Sequence, residues 1–115
     1  MIAFKKLLLG MCSLPVLTAT AKSADIQGRF AKFGDIKIHY LDRGKGDEAL
    51  VFVHGWTCSA DVWKPQLNDF PTVRVIAVDL AGHGQSDKPH VSYSMEYLAR
   101  SIEAVLQDAK VKRAR

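Results

Sequence analysis

The sequence predicts an α/β fold, an antiparallel hairpin followed by parallel strands with flanking helices, and three observations carry it. Residues 49–53 and 73–78 are short, mostly apolar runs, as suits strands buried on both faces of a sheet. Each run ends in a polar loop bearing glycine: His54-Gly55-Trp56 after the first, and Asp79-Leu80-Ala81-Gly82-His83-Gly84-Gln85-Ser86 after the second. A helical segment lies between them, and strand, loop, helix, strand implies a right-handed parallel crossover.

Taken in order, residues 1–21 read as a signal peptide. Met1 to Lys6 is a positive n-region, residues 7–17 are an apolar h-region, and Thr18-Ala19-Thr20-Ala21 supplies the small residues of a cleavage site. The apolar run is shorter than the roughly 20 residues a bilayer-spanning helix needs, and Pro15 interrupts it, so no stable membrane anchor is expected after cleavage. The mature chain is expected in the periplasm or outside the cell. Residues 22–27 form a polar leader.

Residues 28–33 alternate weakly and 36–41 cleanly, with Gly34-Asp35 between them, the pattern of a hairpin with one buried face. A glycine-rich loop, residues 43–47, leads into the 49–53 strand. Lys45 between Gly44 and Gly46 has the wrong context for a phosphate loop, because it precedes a strand rather than following one. After His54-Gly55-Trp56, Ser59 is the expected N-cap of a helix and Asp61 favours its amino end. Val62, Gln66 and Leu67 would share one face, and Pro65 makes this helix short or distorted. A second helix starts at Ser94 with Glu96 in its first turn and a possible staple between Tyr93 and Leu98. Its apolar stripe is Leu98, Ile102, Val105, Leu106 and Ala109. Residues 111–115 look like the lead-in to another strand.

Composition bounds the rest. At 115 residues the chain holds one small domain, without internal repeats or low-complexity tracts. Residues 1–21 carry Lys5 and Lys6 and no acid, so the formal charge of +4 falls to +2 beyond them. The basic cluster Lys110, Lys112, Arg113 and Arg115 lacks interleaved aromatic residues, and nucleic acid is not an expected partner. Cys58 is the one cysteine outside the signal segment, so it has no partner for an internal disulfide. It reads as a small packing residue in a loop rather than a nucleophile, since no histidine stands at an obvious spacing to serve it. The four histidines show no His-x-x-x-His or carboxylate spacing, so no metal is expected. Gly82-x-Gly84 mimics a dinucleotide fingerprint, but Asp87 at the third glycine position would repel a pyrophosphate, and no cofactor is expected.

The chemistry lies at the carboxyl ends of the two apolar strands, where open α/β sheets bind ligands. Gly55 permits close approach to main-chain atoms, and a strand that delivers bare N–H groups to a crevice is the basis of an oxyanion hole. Ser86 lacks the context of a nucleophile and reads as a turn-stabilising hydroxyl. Asp79, with no nucleophile elbow before it, reads as an organiser of its own loop.

Together, His54-Gly55-Trp56 and Asp79-x-x-Gly82-x-Gly84-x-Ser86, after a hairpin, resemble the amino-terminal part of the α/β-hydrolase fold. The resemblance covers residues 28–115 and implies an incomplete α/β-hydrolase sheet, less than half of a complete domain. It implies that the Trp56 backbone N–H is an oxyanion-hole donor. His54, Gly55, Asp79, Gly82, Gly84 and Ser86 would shape the two loops. The nucleophile elbow of such a fold would follow a fifth strand beginning near Arg115. The chain is therefore expected to be an amino-terminal fragment, inactive by itself, with nucleophile, acid and general base elsewhere. His54-Gly55-Trp56-Thr57 departs from the His-Gly-Gly-Gly form of many lipases and points towards esterases, epoxide hydrolases and dehalogenases of small molecules. The first expectation is hydrolysis of an ester or similar bond by a serine triad. An aspartate nucleophile acting on an epoxide or alkyl halide, and a non-catalytic ligand-binding relative, stay open beside it.

Overall fold

The computed structural model describes residues 24–115. The signal segment expected over residues 1–21, like the start of the polar leader, lies outside them. Strands β1 (Gln27–Phe33) and β2 (Ile36–Arg43) form the expected hairpin, with Phe33 opposite Ile36 across the Gly34-Asp35 turn. Gly34 takes φ 57°, the left-handed region that glycine enters without a Cβ clash. Strands β3 (Glu48–Val53) and β4 (Arg74–Val78) are parallel, as the two apolar runs predict. Between them come a 3₁₀ turn, Ala60–Trp63, and a single helical turn, α1 (Lys64–Leu67). Helix α2 (Met95–Asp108) follows the long loop after β4, and β5 (Arg113–Ala114) pairs parallel with Glu48 and Ala49 of β3.

The sheet order is β1-β2-β4-β3-β5. Strand β4 is inserted between β2 and β3, antiparallel to β2 with Tyr40 opposite Val78 and Arg43 opposite Val75. The middle of the sheet is therefore β4, whose residues 75–78 are fully buried. Strand β3 is less covered than its lack of alternation predicts, and Val53 at its end is 40% exposed. Among the described residues its outer neighbour is the two-residue β5, which pairs with Glu48 and Ala49, while Val51 N–H donates to the Arg115 carbonyl at 2.9 Å and Phe52 and Val53 have no strand partner on that side.

One layer of core forms between the sheet and α2. Ser94 caps the helix by accepting the Tyr97 N–H at 3.1 Å, and Leu98, Val105 and Ala109 bury the predicted stripe against Ile38, Tyr40, Ile76 and Val78. The opposite face is covered by Ala60, Leu67 and the half-buried Trp63, whose ring lies 4.9 Å from that of Phe52. Here two local expectations fail. Ser59 makes no side-chain cap, and Val62 is exposed while Ala60, Trp63 and Leu67 turn inward. A 3₁₀ turn brings residues three apart onto one face, which puts Ala60 and Trp63 together and rotates Val62 away.

At the amino ends of the parallel strands, Arg74 ties four segments together. Its Nε and Nη2 donate to Asp42 at 3.0 and 2.7 Å, and its Nη1 donates to the Gly46 and Ala109 carbonyls. The paired hydrogen bonds with Asp42 raise the Arg74 pKa despite burial. Nearby, Tyr40 donates to Asp108 at 2.6 Å, and burial together with that carboxylate pushes its phenol up to about 12. The terminal basic residues are also paired: Lys112 lies 3.7 Å from Asp47, and Arg113 and Arg115 both reach Glu48.

Candidate active site

The carboxyl ends of β3 and β4 meet through histidines and one aspartate. Asp79 is buried directly after β4, and its two oxygens serve three elements. Oδ1 accepts the Ala60 N–H at 2.6 Å, and Oδ2 accepts the Gln85 N–H at 3.0 Å and His39 Nδ1 at 2.7 Å. Asp79 thus satisfies the first amide of the 3₁₀ turn, while the Val62 N–H that a Ser59 side-chain cap would take donates to the Ser59 carbonyl at 3.3 Å. Burial alone would raise its pKa, but the two amides and then His39 outweigh that and hold the carboxyl below its ordinary value. Gly84, at φ 52°, lies so close that a Cβ there would run into the Asp79 carboxylate. Gly82, at φ 83°, admits the Tyr93 ring where a Cβ would sit 2.7 Å from it.

The buried Ser86 hydroxyl joins the β4 loop to β2. Its Oγ donates to the Asp79 carbonyl at 2.6 Å and accepts the His39 N–H at 2.8 Å. That bridge, together with the paired backbone bond from Asp87 N–H to Lys37 and the Lys37 N–H on the Asp87 carboxylate, extends the β2 edge along the loop. A buried hydroxyl with both roles filled is not poised as a nucleophile.

The His54-Gly55-Trp56 segment is held by the β4 loop. His54 Nε2 accepts the Leu80 N–H at 3.1 Å, which leaves its proton on Nδ1. That nitrogen donates to the Gly55 carbonyl at 2.7 Å, and Cys58 N–H donates to the same oxygen at 3.2 Å. In a trans peptide the C=O and the following N–H point in opposite directions. Fixing the Gly55 oxygen with two donors therefore turns the Trp56 N–H to the side opposite His54 and Cys58. No acceptor among the described residues meets that N–H. Thr57 completes the turn at φ 65°, a strained conformation for a β-branched residue.

A cavity of about 370 Å³ opens beside this turn, lined by Trp56, Thr57, Cys58, Gly82, His83, Gly84 and Tyr93. No charged carboxylate, ammonium or guanidinium faces it. Cys58 is exposed rather than the packing residue expected of it, because the turn carries its side chain outward. A larger depression, about 570 Å³, lies at the opposite end of the sheet around Asp42, Gly44, Gly46 and Arg74. It opens at the amino ends of the parallel strands, the wrong end for a ligand in an open α/β sheet, and Arg74 and Asp42 there are already bonded to each other. The rings of His54 and His83 stand 5.1 Å apart, but among the described residues no three His, Cys, Asp or Glu side chains converge as a ligand set.

Sequence reasoning placed Asp79, Ser86 and the His54 segment in the right loops but missed His39. Its partner lies 40 residues away, and it stands on the Lys37 face of β2, opposite the apolar Ile36, Ile38 and Tyr40, so the alternation gave no sign of its burial.

The sheet, the crossover and the two loops at its carboxyl edge define an α/β-hydrolase architecture, and a sequence model of the α/β-hydrolase fold matches residues 48–114. The chain belongs to that family. It is 35% identical over 75 residues to the AB hydrolase superfamily protein YisY of Bacillus subtilis, covering 64% of this chain and 28% of that protein. It is 35% identical over 85 residues to a haloalkane dehalogenase of Agrobacterium fabrum, covering 73% of this chain and 26% of that enzyme. Among solved structures it is similar to an esterase from Exiguobacterium antarcticum, with a TM-score of 0.68 and 31% identity over 76% of this chain and 34% of the esterase. The chain thus spans 26% to 28% of the length of these two curated relatives.

Proposed function

We propose that the protein carrying these residues is an exported hydrolase that cleaves an ester or similar bond of a small molecule, with the Trp56 N–H as one oxyanion-hole donor. The observation that carries this reading is the Trp56 N–H, which meets no acceptor among the described residues and is turned to the side opposite the His54 and Cys58 donors that hold the Gly55 carbonyl. Such a preset donor costs no reorganisation when negative charge develops on a carbonyl oxygen. The uncharged lining of the adjoining cavity suits a neutral substrate. In this reading His54, Gly55, Asp79, Gly82, Gly84 and Ser86 position the two loops, and none of them is assigned as nucleophile, acid or general base. No cofactor is invoked.

A second reading keeps the same donor but gives an aspartate nucleophile acting on an alkyl halide or epoxide. The likeness to a haloalkane dehalogenase and the indole of Trp56, 66% exposed at the site, favour it. The two chemistries separate cleanly on the full-length protein. A serine enzyme is labelled covalently by a fluorophosphonate and hydrolyses p-nitrophenyl esters. An aspartate enzyme resists that label and releases halide from a short bromoalkane. Neither labelling nor turnover on either substrate would count against both.

Export is proposed from residues 1–21 alone. The mature protein is expected to begin at Lys22, or at Ala24 if cleavage follows Ser23, when recovered from periplasm or medium and sequenced from its amino end. Met1 retained on stably folded protein would sink the signal-peptide reading.

A further inference from the structure

The turn that presents Trp56 contains a strained Thr57, so something beyond its own hydrogen bonds has to hold it. The side chain of Trp56 meets His83 edge-on, with ring centroids 5.1 Å apart and planes at 73°. His83 in turn lies 5.1 Å from His54, at 52°. His83 is buried, and its Nδ1 lies 3.0 Å from the Ala81 carbonyl, so it donates there. The three rings form a ladder in which His83, on the β4 loop, stands between His54 and Trp56 of the turn after β3. Separations and tilts of this kind lie in the favourable range for aromatic pairs.

We infer that His83 is a positioning residue: its ring fixes the Trp56 indole and thereby the peptide plane whose N–H serves as oxyanion donor. This rests on the proposed role of Trp56. Two contacts define that peptide plane. His54 and Cys58 hold the oxygen of Gly55, on the near side, and the ladder holds the Cα substituent of Trp56, on the far side. With one contact removed, the plane can rock about the other, and the strain at Thr57 favours that relaxation. The imidazole of His83 contributes as a ring, not as an acid or base. Both faces of its function, the edge contact with the indole and the contact with His54, need only an aromatic surface.

The test uses the full-length protein with 5-fluorotryptophan and the Trp56 fluorine resonance assigned through Trp56→Phe. His83→Ala is expected to shift that resonance as the ring contact with the imidazole is lost, and to lower kcat by about 2- to 10-fold, with KM nearly unchanged. His83→Phe is expected to restore both the resonance and kcat, whereas His83→Gln, polar but without a ring, behaves as His83→Ala. Parent kcat in folded His83→Ala overturns the inference, as does a His83→Phe protein as impaired as His83→Gln. Replacing the Gly55–Trp56 amide by an ester separates the two levels. If the ester leaves turnover at the parent rate, the oxyanion reading fails and this inference with it. If the ester impairs turnover but the fluorine resonance ignores His83, the oxyanion reading stands and the ladder is overturned.

Discussion

If Trp56 is an oxyanion donor as proposed, replacing the Gly55–Trp56 amide by an ester in the full-length protein is expected to lower kcat by about 10²–10³, or roughly 2.7–4 kcal/mol of transition-state stabilisation. The ester removes the N–H and leaves the indole in place. The bond it deletes strengthens only as charge builds on the substrate oxygen, so KM is expected to change far less than kcat. Trp56→Ala keeps the N–H and removes the ring. Its main effect is expected on substrate fit, read as a change in KM or in preference among esters of different size, with the smaller loss of kcat that freeing the peptide plane brings. The Gly55 oxygen keeps His54 and Cys58 as donors in either variant, although an ester carbonyl accepts more weakly than an amide. An ester variant that folds and turns over at the parent rate would reduce His54-Gly55-Trp56 to a tight turn ending β3.

Asp79→Ala is expected to cost about 3–5 kcal/mol of folding stability, since it strips a buried acceptor from two amides and from His39 at once. Asp79→Asn keeps an acceptor and should cost less, and it removes the proton that makes the site sensitive to acid. The folded carboxyl titrates below its unfolded value of about 3.9, so the charged form is favoured by folding. Its contribution is fully present above about pH 5 and is lost as the pH falls through the lower, folded value. Urea midpoints measured from about pH 7 to pH 3 should therefore converge between parent and Asp79→Asn on the acid side. Midpoints that fall in parallel would assign the acid sensitivity to other carboxylates. Because Asp79 also opens the 3₁₀ turn through Ala60, its loss should reach the Trp56 turn that precedes it, and activity should fall with stability.

The sequence alone determined the hairpin, the two parallel strands and α2, whose signals are local. Two apolar runs are two parallel strands, a Gly-Asp pair closes a hairpin, and Ser94 with a 3.6-residue stripe makes α2. Ser86 was legible as a structural hydroxyl, since a glycine-rich loop without an elbow leaves it little else to do. The coming-together was not legible. No periodicity states that β4 slips between β2 and β3, because strand order is settled by which faces bury together rather than by any one segment. The Asp79 carboxylate reaches 19 residues back to Ala60 and 40 back to His39, and Ser86 reaches 47 back to His39. The expected side-chain cap at Ser59 is absent because the Val62 N–H it would take donates to the Ser59 carbonyl, while the distant Asp79 carboxylate satisfies Ala60. The direction of the Trp56 N–H was likewise decided by tertiary structure. It follows from peptide planarity only once His54, anchored on Leu80 of the neighbouring strand's loop, has fixed the carbonyl on the other side.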